Sequence, residues 1–302
     1  MKVLLAGTGS YIGLHLIPVL LQKGHEVLCL VRDKKLFQKQ SPFADKVTLI
    51  TGDLLRTRNM EPLPHDIDAA YYLTGSMTQT LAFAGLEALS AENFIAQLNQ
   101  TNCKQIISVA DIDQAETDAG RSRRHVEEIL YRGDASLTVL RTSMVIGPHS
   151  IVCEMMNGLT DKKPMIIARS WAKARTQPIA LCDVLGYMQE CLLNQATYNT
   201  VFTIGGPEIM TFKQMLLTYA DTCKHTKPNI VTVPMMSKQL SSYWLNFLTP
   251  ISFTAAQSLI DNLENDSIAY DDNIIRIIKR DLLPLKDALQ QSDELVYQLA
   301  SN

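Results

Sequence analysis

Nowhere in the 302 residues is there a Cys-x-x-Cys pair, a long basic run, or the roughly 18 consecutive apolar residues that a membrane-spanning helix needs. Each absence removes a class of function. The six cysteines, at 29, 103, 153, 182, 191 and 223, lie scattered in mostly apolar runs, and the six histidines are equally dispersed. They read as buried, reduced thiols, with neither a disulfide framework nor a metal centre expected. A net charge of -3 gives no electrostatic reason to expect nucleic acid or an anionic membrane as partner. The start of the chain lacks a cleavable leader pattern, so the expected location is cytoplasmic. No internal repeat, low-complexity tract or linker divides the sequence, and a 46% hydrophobic composition allows one large domain or a domain plus a lobe.

The most informative stretch is the opening. Val3 to Ala6 is an apolar run, Gly7-Thr8-Gly9-Ser10-Tyr11-Ile12-Gly13 is a glycine-rich turn, Leu14 to Leu21 is amphipathic, and Glu26 to Arg32 is a second apolar run ending in a charge. The order strand, turn, helix, strand is the first crossover of a parallel sheet. Glycines let backbone approach a pyrophosphate, and the unpaired N–H groups and positive dipole end of the following helix face its charge. The bland alternative is a turn that merely needs glycine. Pro18, inside the helix, should bend it.

The stretch Ala6 to Gly13 resembles the Gly-x-x-Gly-x-x-Gly turn of extended and atypical short-chain dehydrogenase/reductases, with Gly7 and Gly13 in the outer positions. Ser10 stands where the family's second glycine usually stands, and its hydroxyl is a candidate extra phosphate donor. The resemblance implies an α/β fold: a Rossmann-type doubly wound parallel sheet with a smaller, interleaved C-terminal substrate lobe. Residues 1–148 would form the NAD(P)-binding core, with 176–207 returning to it, and 149–175 plus 208–302 the cap lobe. Gly7, Thr8, Gly9, Ser10, Tyr11, Ile12 and Gly13 would cradle the dinucleotide.

Cofactor choice turns on the end of the second strand, Val31-Arg32-Asp33. By comparison with extended reductases, Val31 takes the usual acidic position. Arg32 can pair with a 2′-phosphate and stack on adenine, which favours NADP(H) over NAD(H). Asp33 keeps NAD(H) open, and the bland reading of Arg32 is a solvated strand-end charge. Gly52-Asp53-Leu54 resembles the family's adenine contact, with Asp53 also a candidate helix cap. Leu73, Thr74, Gly75 and Met77, at the exit of a fourth strand, should border the ribose and nicotinamide end. This Tyr-Tyr-Leu-x-x-Ser-Met strand end resembles a group of atypical short-chain proteins loosely allied to the NmrA-like ones.

Family reductases carry a Ser or Thr after the fifth strand and a Tyr-x-x-x-Lys pair on the next helix; the tyrosine donates a proton and the lysine holds the ribose. This sequence has no lysine between Lys104 and Lys162, and Tyr131 is followed four residues later by Ala135. Aligned on the family helix, Arg123 takes the lysine position and Ala119 the tyrosine position. Arg123 could hold a ribose or phosphate, but arginine is a poor proton relay and alanine donates nothing. Ser108 and His125 remain as weak candidates for other chemistry, beside Asp111.

Further on, Leu140-Arg141 and Val145-x-Gly147 match the family's sixth strand and exit, and Asp183 is expected to cap a helix running to about Asn194. Met77, Met155, Trp171, Tyr243 and Trp244 are candidates for an apolar pocket, core packing being their commoner use. Two classes of function follow. One is an oxidoreductase acting on an apolar small molecule; the other is a non-catalytic NADP(H)-binding sensor or scaffold. The expected partner is a dinucleotide, with self-association open.

Overall fold

The computed structural model describes residues 1–74, 83–112, 118–161, 165–168, 173–226, 228–232, 266–270 and 273–300. The opening residues build β1 (Lys2–Ala6), α1 (Tyr11–Gln22) and β2 (Glu26–Val31), followed by α2 (Lys34–Gln40) and β3 (Thr48–Thr51). β4 (Ala69–Tyr72), α3 (Phe83–Leu98), β5 (Gln105–Asp111), α4 (Asp118–Tyr131) and β6 (Ser136–Thr142) complete the first half. After them come β7 (Val145–Ile146), α5 (Ile151–Thr160), β8 (Met165–Ala168), β9 (Arg175–Thr176), β10 (Ile179–Ala180) and α6 (Leu181–Cys191). The chain then forms β11 (Thr200–Ile204), β12 (Met210–Thr211), α7 (Phe212–Lys224), β13 (Asn229–Thr232) and α8 (Leu285–Ala300).

Seven strands make one parallel sheet in the order β11-β6-β5-β4-β1-β2-β3, a Rossmann-type α/β arrangement. Its central strands are apolar on both faces because both are covered, as parallel sheets require. Val3, Leu5, Tyr71, Ile107, Leu140 and Phe202 pack with Leu16, Ile17, Tyr187 and Met188 of α1 and α6. On the opposite face Leu4, Ala70, Tyr72, Ile106 and Val139 pack with Phe94, Leu98, Ile129 and Leu130 of α3 and α4. The strand order reverses between β1 and β4, and ligands of such sheets bind beyond the carboxyl ends at that switch point.

α1 runs through Pro18 without interruption from Tyr11 to Gln22. It stops at Gly24, whose φ of +74° is open to glycine and whose N–H donates to the Leu21 carbonyl at 3.0 Å. A third core lies away from the sheet, where α5, α7 and α8 bring together Val152, Met156, Phe212, Met215 and Leu289. α7 is started by a reciprocal cap between Thr211 and Gln214. The short pair β8 and β13 joins residues on either side of the return to the sheet.

Asp183 does not cap α6. Ala180 holds the cap position without a side-chain bond, and Asp183 lies inside the first turn, 3% exposed. Its carboxylate accepts the Leu283 N–H at 2.8 Å and faces the Arg280 guanidinium at 3.7 Å. A buried carboxylate needs such partners, and a tertiary one has replaced the local one. Arg280 also pairs with Glu190 and lies over the Tyr187 ring, 5.7 Å from its centroid, fastening the segment before α8 to α6. Of the cysteines, 29, 153 and 191 are buried, 103 and 223 are half-buried, and Cys182 is exposed. Among the described residues no helix is long and apolar enough to cross a membrane.

Candidate functional site

The glycine turn, the exit of β4 and the start of α1 meet at the carboxyl end of β1. Gly7 has φ +93°, and a Cβ there would stand 2.3 Å from the Leu73 carbonyl, so the turn passes tight against the exit of β4. A Cβ on Gly13 would meet the Gly7 carbonyl oxygen at 2.4 Å, so α1 also abuts the turn. Gly9 differs: nothing lies within 4 Å of where its Cβ would be. Two glycines are therefore explained by the protein's own packing, and the third borders open space.

The start of α1 faces that space with donors to spare. Ser10 caps the helix, its hydroxyl oxygen accepting the Gly13 N–H at 3.1 Å, and Leu14 N–H donates to the Ser10 carbonyl at 3.0 Å. The Tyr11 and Ile12 N–H groups have no hydrogen-bond partner among the described residues. Two unpaired helix N–H groups and the positive dipole end make a site for an anion. The Ser10 oxygen accepts within the cap, so its O–H remains able to donate outward. Thr8 is buried, with its hydroxyl 3.4 Å from the Leu30 carbonyl.

Beside the turn, at the end of β2, Arg32 is exposed and has no carboxylate partner among the described residues. Asp33 caps α2, accepting the Leu36 N–H at 3.1 Å. At the end of β3, one Asp53 oxygen accepts the Leu55 N–H at 3.0 Å, a local turn that leaves its second oxygen for another donor. Leu54 is buried, and Asn93 of α3 donates to its carbonyl at 2.6 Å. Leu73 is buried and Thr74 half-buried beside the Gly7 turn. Gly75, Met77, Trp171, Tyr243 and Trp244 lie outside the described residues.

The other side of the switch point carries α4 with Ala119 and Arg123, the positions aligned above with the family's tyrosine and lysine. Arg123 projects from α4 to Asp111, the last residue of β5, at 2.8 Å; the arginine side chain is mostly buried and the carboxylate half-exposed. Ser108 is buried inside β5 and donates to the Tyr72 carbonyl at 3.1 Å. His125 is exposed on α4, 3.7 Å from Glu128. Met155 is fully buried in the core of α5, α7 and α8. The structure thus brings Gly9, Ser10, Tyr11, Ile12, Arg32, Asp53 and Thr74 to the carboxyl ends of β1 to β4, with Ser108 buried level with the end of β4 and Arg123 and Asp111 farther along, and places His125 and Met155 elsewhere.

Tyr11 carries a contact that the sequence reading did not contain. Its hydroxyl donates to the Pro148 carbonyl at 2.9 Å, and its ring lies 4.7 Å from that of His15. Burial, with the nearby Cys153, pushes the phenol above its ordinary range, so it stays a donor. The Arg123–Asp111 pair was equally hidden, since the alignment located the arginine and could not give its partner.

Residues 7–146 match the family described as NAD(P)H-binding. No curated protein matches the sequence. Among solved structures, the triphenylmethane reductase of Citrobacter sp. complexed with NADP(H) is similar over 97% of this chain and 100% of its own, with a TM-score of 0.72 and 14% identity. UDP-glucuronic acid 4-epimerase from Bacillus cereus, in complex with UDP-glucuronic acid and NAD, is similar over 99% and 100%, with a TM-score of 0.69 and 14% identity. Yeast methylglyoxal/isovaleraldehyde reductase complexed with NADPH is similar over the whole of both chains, with a TM-score of 0.67 and 12% identity. At these identities the likeness is one of fold, and these neighbours hold NAD as well as NADP(H).

Proposed function

We propose that this chain binds NADP(H) in preference to NAD(H) and is an oxidoreductase acting on an apolar small molecule, without the tyrosine-lysine pair of the reductase family that its sequence resembles. The observation that carries the reading is the free space at Gly9, framed by the closed positions Gly7 and Gly13 and faced by the unpaired N–H groups of Tyr11 and Ile12. These residues would hold the pyrophosphate, Asp53 would accept from the adenine amine, and Arg32 would meet the 2′-phosphate. Arg32 has no carboxylate partner among the described residues, whereas Asp33 is engaged in its helix cap; this supports the phosphorylated cofactor. Bound there, the cofactor would supply or accept a hydride.

The residues past the switch point restrict the substrate. Ala119 offers no proton, and Arg123 holds Asp111 as an ion pair. A substrate that needs only a hydride, such as a delocalised carbocation, fits this arrangement better than a ketone whose oxygen must be protonated. The Citrobacter neighbour is named a triphenylmethane reductase, which supports a bulky apolar substrate. The test is consumption of NADPH with a triarylmethyl cation, a quinone and a simple ketone. Turnover of the first well above that of the ketone is expected. Tight NADPH binding with no turnover of any acceptor would instead favour a sensor or scaffold, a reading supported by the internal hydrogen bond of Ser108 and the ion pair of Arg123.

A further inference from the structure

The corner where β2 and β3 end is rich in cations. Arg32, Lys34 and Lys35 follow β2, and Arg56 and Arg58 follow β3. Among the described residues, Lys34 alone of these five has an ion-pair partner. Its ammonium lies 2.9 Å from both carboxylate oxygens of Glu61. The other carboxylates of the corner, Asp33 and Asp53, each accept a local N–H, and neither has an ion-pair partner among the described residues.

Glu61 is fixed by backbone at two points. Its N–H donates to the Thr51 carbonyl at 2.8 Å, and its carboxylate accepts the Thr51 N–H at 3.1 Å. Thr51 ends β3 opposite Val31 of β2, and it is the next residue, Gly52, whose N–H reaches the Val31 carbonyl at 2.9 Å. Backbone groups of a strand alternate between its two sides, so Thr51 turns both of its own away from β2. The Glu61 carboxylate therefore has β3 between it and Arg32, and it draws the first side chain of α2 to that outer side. The Lys34 ammonium, and then the Thr51 N–H, hold the Glu61 carboxyl below the usual carboxylate range, so it is ionised at neutral pH. Because the carboxylate is pinned, pairing costs less entropy than in an exposed pair of two free side chains.

We propose that Glu61 is a specificity-determining residue: it withholds Lys34 from the 2′-phosphate of the cofactor and so sets how far NADP(H) is preferred to NAD(H). This rests on the reading above that the phosphate meets Arg32 at the end of β2. Lys34 lies two residues beyond Arg32 and opens α2. Released, its ammonium can turn back to the phosphate as a second cation. Held by Glu61, its charge is cancelled, which is why loss of Arg32 alone is expected to abolish the preference with Lys34 still beside it. A fixed carboxylate close to an approaching phosphate also opposes it directly, since like charges repel.

The experiment is a calorimetric titration of the full chain with NADP, NADPH, NAD and NADH, on wild type, Glu61→Gln, and Glu61→Gln combined in turn with Lys34→Met, Lys35→Met and Arg32→Ala. Glutamine keeps an oxygen for the Thr51 N–H and leaves the backbone bond untouched; Glu61→Ala serves as a second variant without the carboxylate. Both should tighten binding of the phosphorylated pair about fivefold and change binding of the NAD(H) pair by less than about twofold. The gain should survive Lys35→Met and vanish with Lys34→Met. In the Arg32→Ala background, Glu61→Gln should bring back part of the preference. An unchanged ratio in both carboxylate-free variants, or a gain that survives Lys34→Met, would overturn the proposal and leave the reading of Arg32 intact. A wild type that binds none of the four would overturn the cofactor reading, and this proposal with it.

Discussion

Tyr11 and Pro148, 137 residues apart, are joined by a single hydrogen bond from phenol to carbonyl at 2.9 Å. Gly147 makes room for it, since a Cβ there would stand 2.5 Å from the phenol oxygen. The first residue of the helix that faces the proposed pyrophosphate site therefore also holds the chain where it leaves the sheet for α5. Tyr11→Phe keeps the ring and its contact with His15 but loses this bond. It should lower stability by about 1 kcal/mol in urea denaturation. An unchanged midpoint and slope would show that the bond carries no net weight.

The glycines of the turn should separate folding from binding. Gly9→Ala adds a methyl group to open space, so the melting temperature should hold while NADP(H) affinity falls by about tenfold or more as the methyl enters the site. Gly13→Ala drives a methyl into the Gly7 carbonyl and should cost about 2 kcal/mol or more. Thermal melts and calorimetric titration of both variants check the pair. Equal loss of stability in the two would contradict the division.

Much of this was legible in the sequence because its physical cause is local. The apolar runs of β1 and β2 and the glycines between them follow from rules acting over a few residues. What stayed hidden depends on distant partners. Asp183 reads as a helix cap because Asp-Val opens a helical pattern, yet its carboxylate serves Leu283 and Arg280, about 100 residues on. Met155 suits a pocket as well as the commoner core, and only the arrival of α7 and α8 makes it core. Cys182 lies in an apolar run but on the outward side of α6, which a run alone does not reveal.

Stability should decline in alkali. Burial pushes the thiols of Cys29, Cys103 and Cys191 up to about 12 and raises the Tyr71 phenol as well. In the unfolded chain a thiol loses its proton near pH 8.5. Above that value the unfolded state binds fewer protons than the folded one, so stability is complete below it and falls as pH rises towards the folded values, by at most about 1.4 kcal/mol per unit for each thiol. Urea midpoints at about pH 8 and about pH 10 provide the check. A midpoint that holds or rises would contradict the burial of these groups.

Asp33 and Arg32 are adjacent but should act separately. Asp33→Ala removes the cap of α2 and should reduce stability by about 1 kcal/mol. Its preference among dinucleotides should stay that of the wild type. A switch in preference would show that the carboxylate meets the adenosine ribose after all, and that the cofactor is NAD(H).

The most direct measurement is a calorimetric titration of the full chain with NADP, NADPH, NAD and NADH, carried out on wild type and on Arg32→Ala. The account predicts tighter binding of the phosphorylated pair by the wild type, and near-equal binding of all four by the variant. Binding of none of them by the wild type, or a preference for the phosphorylated pair that survives the loss of Arg32, would contradict it.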